Sequence, residues 1–352
     1  MHIVIAGGGT GGHVFPAVEI AKEFRRQYPD AKITIAGNQN SLEERVAANA
    51  GFPFFQANSA QLAGKPWWQQ ILALMRIQVA AIKSALFLLF RRPQAIIGVG
   101  GNVSVPMLVA GFFLGIKIYI CEQNVAPGLA NSYLATLARK IFVNFAESKN
   151  YFLARKVVVT GNPIREDFFK VADHRPHDEI KILVAGGSLG SRAINQQVPL
   201  ALARLKLPQK FSVTHQTGMA MVEEVQASYN QSHVPGRATA FIDNMPEAFA
   251  THHLLISRAG ATVCTEILAA RMPAILIPYP HANAHQRENA QALVKIGVAV
   301  MVEEGENLAE RLASAVQSLY DDPNKLKAMA QSAIGHGQPH AAAKIVEAVL
   351  GT

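Results

Sequence analysis

The loop Gly7-Gly8-Gly9-Thr10-Gly11-Gly12-His13 follows a β-branched run and opens a helical stretch with Pro16 near its first turn. Glycines leave backbone N–H groups uncovered, and a helix N-terminus adds partial positive charge, so the loop is suited to a phosphate-bearing ligand. Its G-x-G-x-x-G spacing alone suggests a dinucleotide. A dinucleotide site also needs a carboxylate at the end of the second strand to hold the ribose. Here that strand ends Ala36-Gly37-Asn38-Gln39-Asn40, with no acid before Glu43, which argues against hydride transfer. His13 closes the loop at the carboxyl edge of the sheet, where open α/β folds bind ligands, and that position favours a base over a structural hydrogen-bonder.

Other junctions repeat the pattern. Ile96-Ile97-Gly98-Val99-Gly100-Gly101-Asn102 is a second glycine turn, and Cys121-Glu122-Gln123-Asn124 places three polar side chains after a buried strand. Such side chains are costly unless they bond to a ligand or to loop backbone, and for Glu122 and Asn124 ligand contact is the favoured reading. Val184-Ala185-Gly186-Gly187-Ser188-Leu189-Gly190-Ser191-Arg192 is a strand, a glycine loop and a helix start with no P-loop lysine, which argues against ATP hydrolysis. In Ile256-Ser257-Arg258-Ala259-Gly260-Ala261-Thr262-Val263-Cys264-Thr265-Glu266 a carboxylate lies one turn inside a helix, placed to accept ribose hydroxyls while the junction's N–H groups face a diphosphate. The amides and histidines from Pro278 to Ala290 suit sugar hydroxyls, because each amide offers a donor and an acceptor; a solvated helix start has similar composition.

The elements that must hold these junctions form two series of strands alternating with helices, the pattern of parallel sheets wrapped by helices. Strands are expected at 3–6, 32–36, 95–99, 117–121, 140–144 and 157–160, then at 181–185, 211–216, 238–242, 254–257, 274–278 and 298–302. The expected division is an N-terminal domain over 1–163, a polar linker over 164–178 and a C-terminal domain over 179–338. A helix at about 339–352 is expected to pack back on the first domain.

Half of the 352 residues are apolar, enough for two cores. The two cysteines, Cys121 and Cys264, are far apart in apolar surroundings, which offers neither a disulfide framework nor metal-ligand spacing and points to a reducing compartment. The N-terminus reads as a strand and lacks the features of a signal peptide. A net charge of +8 favours anionic partners, but no basic run with interleaved aromatics occurs, so nucleic acid is not expected. Trp67 to Phe90 is an apolar helix candidate long enough to cross a bilayer. Spanning would bury Arg76 and Lys83 at about 2.5–3.5 kcal/mol each, and is rejected. Two readings remain for this helix, a core element of the first domain or an apolar patch, bracketed by Lys65, Arg91 and Arg92, that dips into an anionic membrane surface.

Six segments together resemble the MurG family of bacterial UDP-N-acetylglucosamine transferases, which convert lipid I to lipid II in peptidoglycan synthesis. They are Gly8-Gly9-Thr10-Gly11-Gly12-His13, Gly98-Val99-Gly100-Gly101, Glu122-Gln123-Asn124, Gly161-Asn162-Pro163-Ile164-Arg165, Gly186-Gly187-Ser188-Leu189-Gly190 and Ser257-Arg258-Ala259-Gly260-Ala261. Each is weak alone; their order and spacing are specific. The resemblance implies a GT-B fold, two Rossmann-like doubly wound domains facing a cleft, the C-terminal one holding the donor and the N-terminal one the acceptor. Carried over by position, Thr10, Gly11 and Gly12 meet the donor sugar with Asn124 beside them. Arg165, Ser188, Ile242, Ala261, Thr262, Val263, Cys264, Thr265, Glu266 and Gln286 complete the UDP-sugar site, with Glu266 on the ribose. Two positions depart from the family: Cys121 stands where histidine is frequent, and His285 where a second glutamine is common.

The implied chemistry is one inverting displacement, in which the 4-hydroxyl of N-acetylmuramic acid attacks the anomeric carbon as UDP leaves. A diphosphate leaves as an anion if its charge is stabilised, so one base suffices, and His13 is the expected base or its positioning partner, with Glu122 as the rival. No D-x-D occurs, so Ser188, Arg165 and helix N-termini are expected to steady the diphosphate without a metal or other cofactor. The polyprenyl acceptor places the protein at the cytoplasmic face of the inner membrane, with cell-wall synthesis proteins as further partners. The competing classes are a UDP-N-acetylglucosamine 2-epimerase of the same fold, an NAD oxidoreductase and a non-catalytic UDP-sugar sensor.

Overall fold

In the computed structural model the described residues are 1–9, 11–60, 66–171, 180–187, 189–206, 211–280, 285–322 and 324–351. They form two units, Met1–Ile164 with His340–Thr352, and Arg165–Pro339.

The first unit carries β1 (His2–Gly7), β2 (Lys32–Gly37), β3 (Phe54–Gln56), β4 (Ala95–Gly100), β5 (Lys117–Glu122), β6 (Lys140–Val143) and β7 (Val157–Val159), parallel in the order β3-β2-β1-β4-β5-β6-β7. Its helices are α1 (Gly11–Gln27), α2 (Leu42–Asn49), α3 (Trp67–Arg91), α4 (Ser104–Phe113) and α5 (Leu129–Leu134). Strand side chains alternate between two buried faces, as a sheet covered by helices on both sides requires. Ile3 and Ile5 join Ala17, Ile20 and Phe24 of α1 in one cluster, while Val4 and Ala6 join Leu88, Met107 and Leu108 from α3 and α4 in another.

The second unit repeats the plan with β8 (Ile180–Ala185), β9 (Phe211–Gln216), β10 (Gly236–Thr239), β11 (Leu254–Ser257), β12 (Ala274–Leu276) and β13 (Ala299–Met301), parallel in the order β10-β9-β8-β11-β12-β13. Around it stand α6 (Arg192–Leu202), α7 (Val222–Gln231), α8 (Met245–Thr251), α9 (Ala261–Ala270), α10 (His285–Ile296), α11 (Leu308–Tyr320) and α12 (Lys325–Ser332). The chain then returns to the first unit as α13 (Ala341–Leu350). Ile345, Val346 and Val349 enter the cluster beneath α1, and the Tyr119 hydroxyl donates to the Val349 carbonyl at 3.1 Å.

In each sheet the strand order reverses beside the first strand, between β1 and β4 and between β8 and β11. The connections leave such a point in opposite directions, which opens room for a ligand at the carboxyl ends of the strands. The glycine loops stand at these ends. β3 was not expected: it is three residues at a sheet edge, too short to show a period. β10 occupies Gly236–Thr239 rather than 238–242, because pairing with β9 begins at Gly236 opposite Val213. Within the expected linker, residues 172–178 lie outside the described residues, whereas Glu166–Lys170 is a 3-10 turn whose buried Phe168 meets Phe249 edge-on at 5.2 Å.

Helix α3 presents two different faces. Ala73, Ala80, Ser84 and Leu88 are buried, spaced by seven, four and four residues, and the helix packs there on α4. Trp67, Met75, Ile82, Leu86 and Phe90 are exposed, Trp67 by 74% and Phe90 by 81%, as are Arg76, Lys83, Arg91 and Arg92. The helix is a domain element along one edge and an apolar, basic surface along the other. Lys65 lies outside the described residues.

Gly101 has φ +81°, and a β-carbon there would strike the Gly8 carbonyl, a backbone atom with no rotamer to change. Gly101→Ala is expected to lower the unfolding free energy by about 2 kcal/mol or more, read as a shift of the urea midpoint at unchanged m-value.

Candidate functional site

In the first unit β1 ends at Gly7 and α1 begins at Gly11, so Gly11, Gly12 and His13 occupy the helix's first turn, where N–H groups have no intrahelical acceptor. Thr10 lies outside the described residues. The Gly8 N–H donates to the Gly100 carbonyl at 3.3 Å, tying the glycine loops after β1 and β4 together. The half-buried His13 ring lies against Gly100, where a β-carbon would come within 2.7 Å of Cδ2. Burial holds the imidazole below its usual pKa of 6.5, partly offset by the charge of Glu122, a hydrogen bond to the Gly8 backbone and the charge of Glu43. The ring is therefore neutral at neutral pH, with negative charge nearby to steady an imidazolium.

Glu122, the last residue of β5, is 2% exposed. Its Oε1 accepts from the Asn124 N–H at 2.9 Å and Asn124 Nδ2 at 3.1 Å; its Oε2 accepts from the Gly128 N–H at 3.1 Å and Asn131 Nδ2 at 2.8 Å. Both carboxylate oxygens are thus committed to the turn that carries Asn124. Ligand contact, favoured for Glu122 from the sequence, gives way to loop organisation. The Ser148 hydroxyl donates to the Asn124 carbonyl at 3.1 Å and fixes the same turn from a third side.

In the second unit, Ser188 lies outside the described residues. Gly190, at φ +78°, packs on the backbone of Thr217, and Gly218, at φ +77°, on that of Leu189. Gln216, at the end of β9, joins this pair of loops to Ile242: its Nε2 donates to the Gly187 carbonyl at 3.0 Å and its Oε1 accepts from the Ile242 N–H at 2.9 Å. Sequence reading missed Gln216, although a buried amide at a strand end carries the same signal as Glu122.

At the β11–α9 junction Gly260 is the N-cap, and Ala261, Thr262 and Val263 form the first helical turn. The Cys264 and Thr265 side chains turn inward, which leaves their backbone as what they can offer a ligand. Cys264 is fully buried, with burial pushing its thiol pKa up, and the Thr265 hydroxyl donates to the Ala261 carbonyl at 2.9 Å. Glu266 is half-buried; burial pushes its carboxyl up to about 8, against the opposing pull of the Arg165 guanidinium. Arg165 also stands 5.4 Å from the centre of the Phe168 ring.

Gln286, in the first turn of α10, accepts on Oε1 from the Ala259 N–H at 3.3 Å and the Tyr279 N–H at 3.0 Å. Asn289 Nδ2 donates to the Ala259 carbonyl at 3.1 Å. The two amides hold the loops after β11 and β12 side by side. Of the sequence 281–284, expected to belong to a sugar-binding cluster, nothing is described.

Comparison with known proteins bears on the loop clusters of both units. Residues 3–143 match the glycosyltransferase family 28 N-terminal domain and residues 181–346 its C-terminal domain. A UDP-N-acetylglucosamine–N-acetylmuramyl-(pentapeptide) pyrophosphoryl-undecaprenol N-acetylglucosamine transferase of Syntrophus aciditrophicus is 38% identical, covering 99% of this chain and 98% of the relative. The Myxococcus xanthus enzyme of the same name is 37% identical over 99% of this chain and 92% of its own. Among solved structures, MurG of Acinetobacter baumannii superposes with a TM-score of 0.81 at 30% identity, covering 100% of this chain and 99% of that one. A UDP-GlcNAc 2-epimerase from Neisseria meningitidis, bound to UDP-GlcNAc, reaches 0.71 at 15% identity over both full lengths, a likeness of fold alone.

Glu266 yields a stability test. Its folded pKa of about 8 exceeds the value of 4.5 for the unfolded chain, so its favourable contribution is complete below pH 4.5 and is lost as pH rises through 8. Glu266→Gln, which resembles the protonated acid, is expected to match the wild-type melting temperature at pH 4 and to exceed it at pH 8, by calorimetry on the ligand-free protein. Equal curves at both pH values would remove the buried-acid reading.

Proposed function

We propose, for a chain that belongs to glycosyltransferase family 28 and within it to the MurG family, that it moves N-acetylglucosamine from UDP-N-acetylglucosamine to the 4-hydroxyl of N-acetylmuramic acid in lipid I, with inversion, to give lipid II. The observation that carries the reading is the whole-length match to transferases of this name, on a chain whose glycine loops stand where two doubly wound sheets bind ligands. The epimerase alternative rests on fold likeness at 15% identity and is not favoured.

In the first unit, His13 acts as the base. Its neutral imidazole takes the proton of the attacking hydroxyl as the new glycosidic bond forms and the bond from the anomeric carbon to the UDP oxygen breaks. Glu122 and Glu43 supply the negative charge that steadies the imidazolium formed. Glu122 is a positioning residue because its oxygens already accept hydrogen bonds from its own turn. Gly11, Gly12 and the open first turn of α1 suit the acceptor's pyrophosphate and the incoming sugar, with Asn124 presented on the turn that Glu122 holds.

In the second unit, the N–H groups of Ala261, Thr262 and Val263 face the diphosphate, Arg165 adds a fixed positive charge, and Glu266 meets the ribose hydroxyls. Ile242 offers backbone held by Gln216, and Gln286 uses its Oε1 to fix two loops, leaving its Nε2 to donate to the sugar. Cys264 and Thr265 contribute helix backbone rather than side chains. The diphosphate leaves without a metal ion. The exposed apolar and basic edge of α3 meets the anionic surface in which the polyprenyl acceptor is anchored, so the protein works as a peripheral enzyme at the cytoplasmic face.

The reading is tested by UDP release from UDP-N-acetylglucosamine with and without a lipid I analogue. Release that requires the acceptor and persists in chelator supports it, whereas release without acceptor returns the epimerase. His13→Ala is expected to reduce turnover about a hundredfold or more, and the acid limb of the wild-type profile of kcat/KM should have its midpoint below pH 6.5, because activity needs the neutral ring and burial lowers its pKa. For the membrane contact, replacing both Ile82 and Leu86 by glutamate should weaken binding to phosphatidylglycerol vesicles at least about tenfold in a flotation assay. Undiminished binding would assign the contact to another surface.

A further inference from the structure

A cavity of about 500 Å³ opens in the first unit between Asn38, just after β2, Asn58 and Ser59, just after β3, and Leu72, Arg76 and Val79 of α3. Its size is that of a small-ligand site. One wall is polar backbone-loop residues, and the other is a helix edge that alternates apolar side chains with a guanidinium. Asn38 Oδ1 and Ser59 Oγ are both buried, and among the described residues neither has a hydrogen-bond partner. Each unpaired buried acceptor or hydroxyl costs on the order of 1–3 kcal/mol, so two together on the wall of one cavity call for an occupant with polar groups to match. Among the described residues no carboxylate pairs with Arg76.

The cavity is joined to the glycine loop through one side chain. Glu43 Oε1 accepts from the Asn38 N–H at 3.2 Å, and the same carboxylate lies over the α-carbon of Gly8, where a β-carbon would collide with it. The site therefore lies between the loop expected to hold the acceptor's pyrophosphate and the helix edge expected to meet lipid. This placement rests on the acceptor reading given under Proposed function. An acceptor fixed at both those points carries one remaining large group, its peptide. That group combines backbone amides, apolar side chains and carboxylates, which are the partners that Asn38, Ser59, Leu72, Val79 and Arg76 lack.

We propose that this cavity is the subsite for the peptide stem of the acceptor. Asn38 Oδ1 accepts from a peptide N–H, Ser59 Oγ bonds to the peptide backbone, Arg76 pairs with a carboxylate of the stem, and the apolar side chains of α3 cover the stem between these contacts. The subsite gives the enzyme a means of discriminating between acceptors that carry the full peptide and acceptors that lack it, because an unfilled site leaves its polar groups unpaired.

The test compares two short-chain lipid I analogues, one with the pentapeptide and one with N-acetylmuramic acid alone, using the full chain. Ser59→Ala and Asn38→Ala are the variants, each removing the oxygen that would bond to the peptide; Arg76 is left unchanged because it also belongs to the basic edge of α3. The ratio of kcat/KM for the pentapeptide acceptor to that for the peptide-free one is expected to fall about tenfold in each variant, through KM for the pentapeptide acceptor, with the melting temperature within that of the wild type. An unchanged ratio overturns the proposal, as does an equal loss on both acceptors. Weakened binding to phosphatidylglycerol vesicles with the ratio unchanged would assign the cavity to a lipid headgroup and overturn it too. If the wild-type protein releases no UDP with either acceptor, the transferase reading itself fails, a result distinct from all of these.

Discussion

At Gly101 the main chain runs against the carbonyl of Gly8, at Gly190 against that of Thr217, and at Gly218 against that of Leu189, each time at a positive φ and with no space for a β-carbon. Backbone packed directly on backbone at the carboxyl ends of the strands is what lets neighbouring loops converge. Any side chain there would spread the loops apart. The strand order of each sheet supplies the position and the glycines supply the proximity. His13 depends on both, since its ring lies against Gly100 on a turn of helix that starts at Gly11.

Around these contacts the buried polar groups divide into those that organise and those that remain available for chemistry. Glu122, Gln216 and Gln286 each bridge backbone groups on different loops or within one turn, and a buried carboxylate or amide can do so only when its hydrogen-bonding capacity is met locally. Arg258 has the same character: buried, it donates to the carbonyls of Ile277 and Pro278 while its charge meets Glu304 at 2.6 Å. His13 and Glu266 differ because burial shifts both towards their neutral forms. A neutral imidazole can take a proton, and a neutral carboxyl can share one with a hydroxyl.

Much of this was legible in the sequence because strand–glycine–helix junctions carry their own punctuation. The central strands, the glycine loops and the position of His13 follow from β-branched runs and turn residues. What escaped has physical reasons. β3 is held by pairing with β2 and by the Pro53 carbonyl accepting from the Ile35 N–H, contacts between segments that three residues cannot announce. The organising role of Glu122 depends on Gly128 and Asn131 folding back towards it, which spacing alone does not show. Cys264 and Thr265 could have been placed inward from the helical period, since Ala261, Cys264, Thr265 and Leu268 fall on one buried stripe of α9.

Helix α13 has a bearing on how the chain is made. It seals the face of α1 with Ile345, Val346 and Val349, yet in chain order it follows every element of the second unit. During synthesis the second unit emerges as one continuous stretch and can close its core without waiting for a distant segment. The first unit emerges earlier but keeps the outer side of α1, the helix that begins with Gly11, Gly12 and His13, uncovered until residues 341–350 have left the ribosome. The part of the protein translated first is thus the part completed last, and its helix α1 is seated only after the whole second unit has been made.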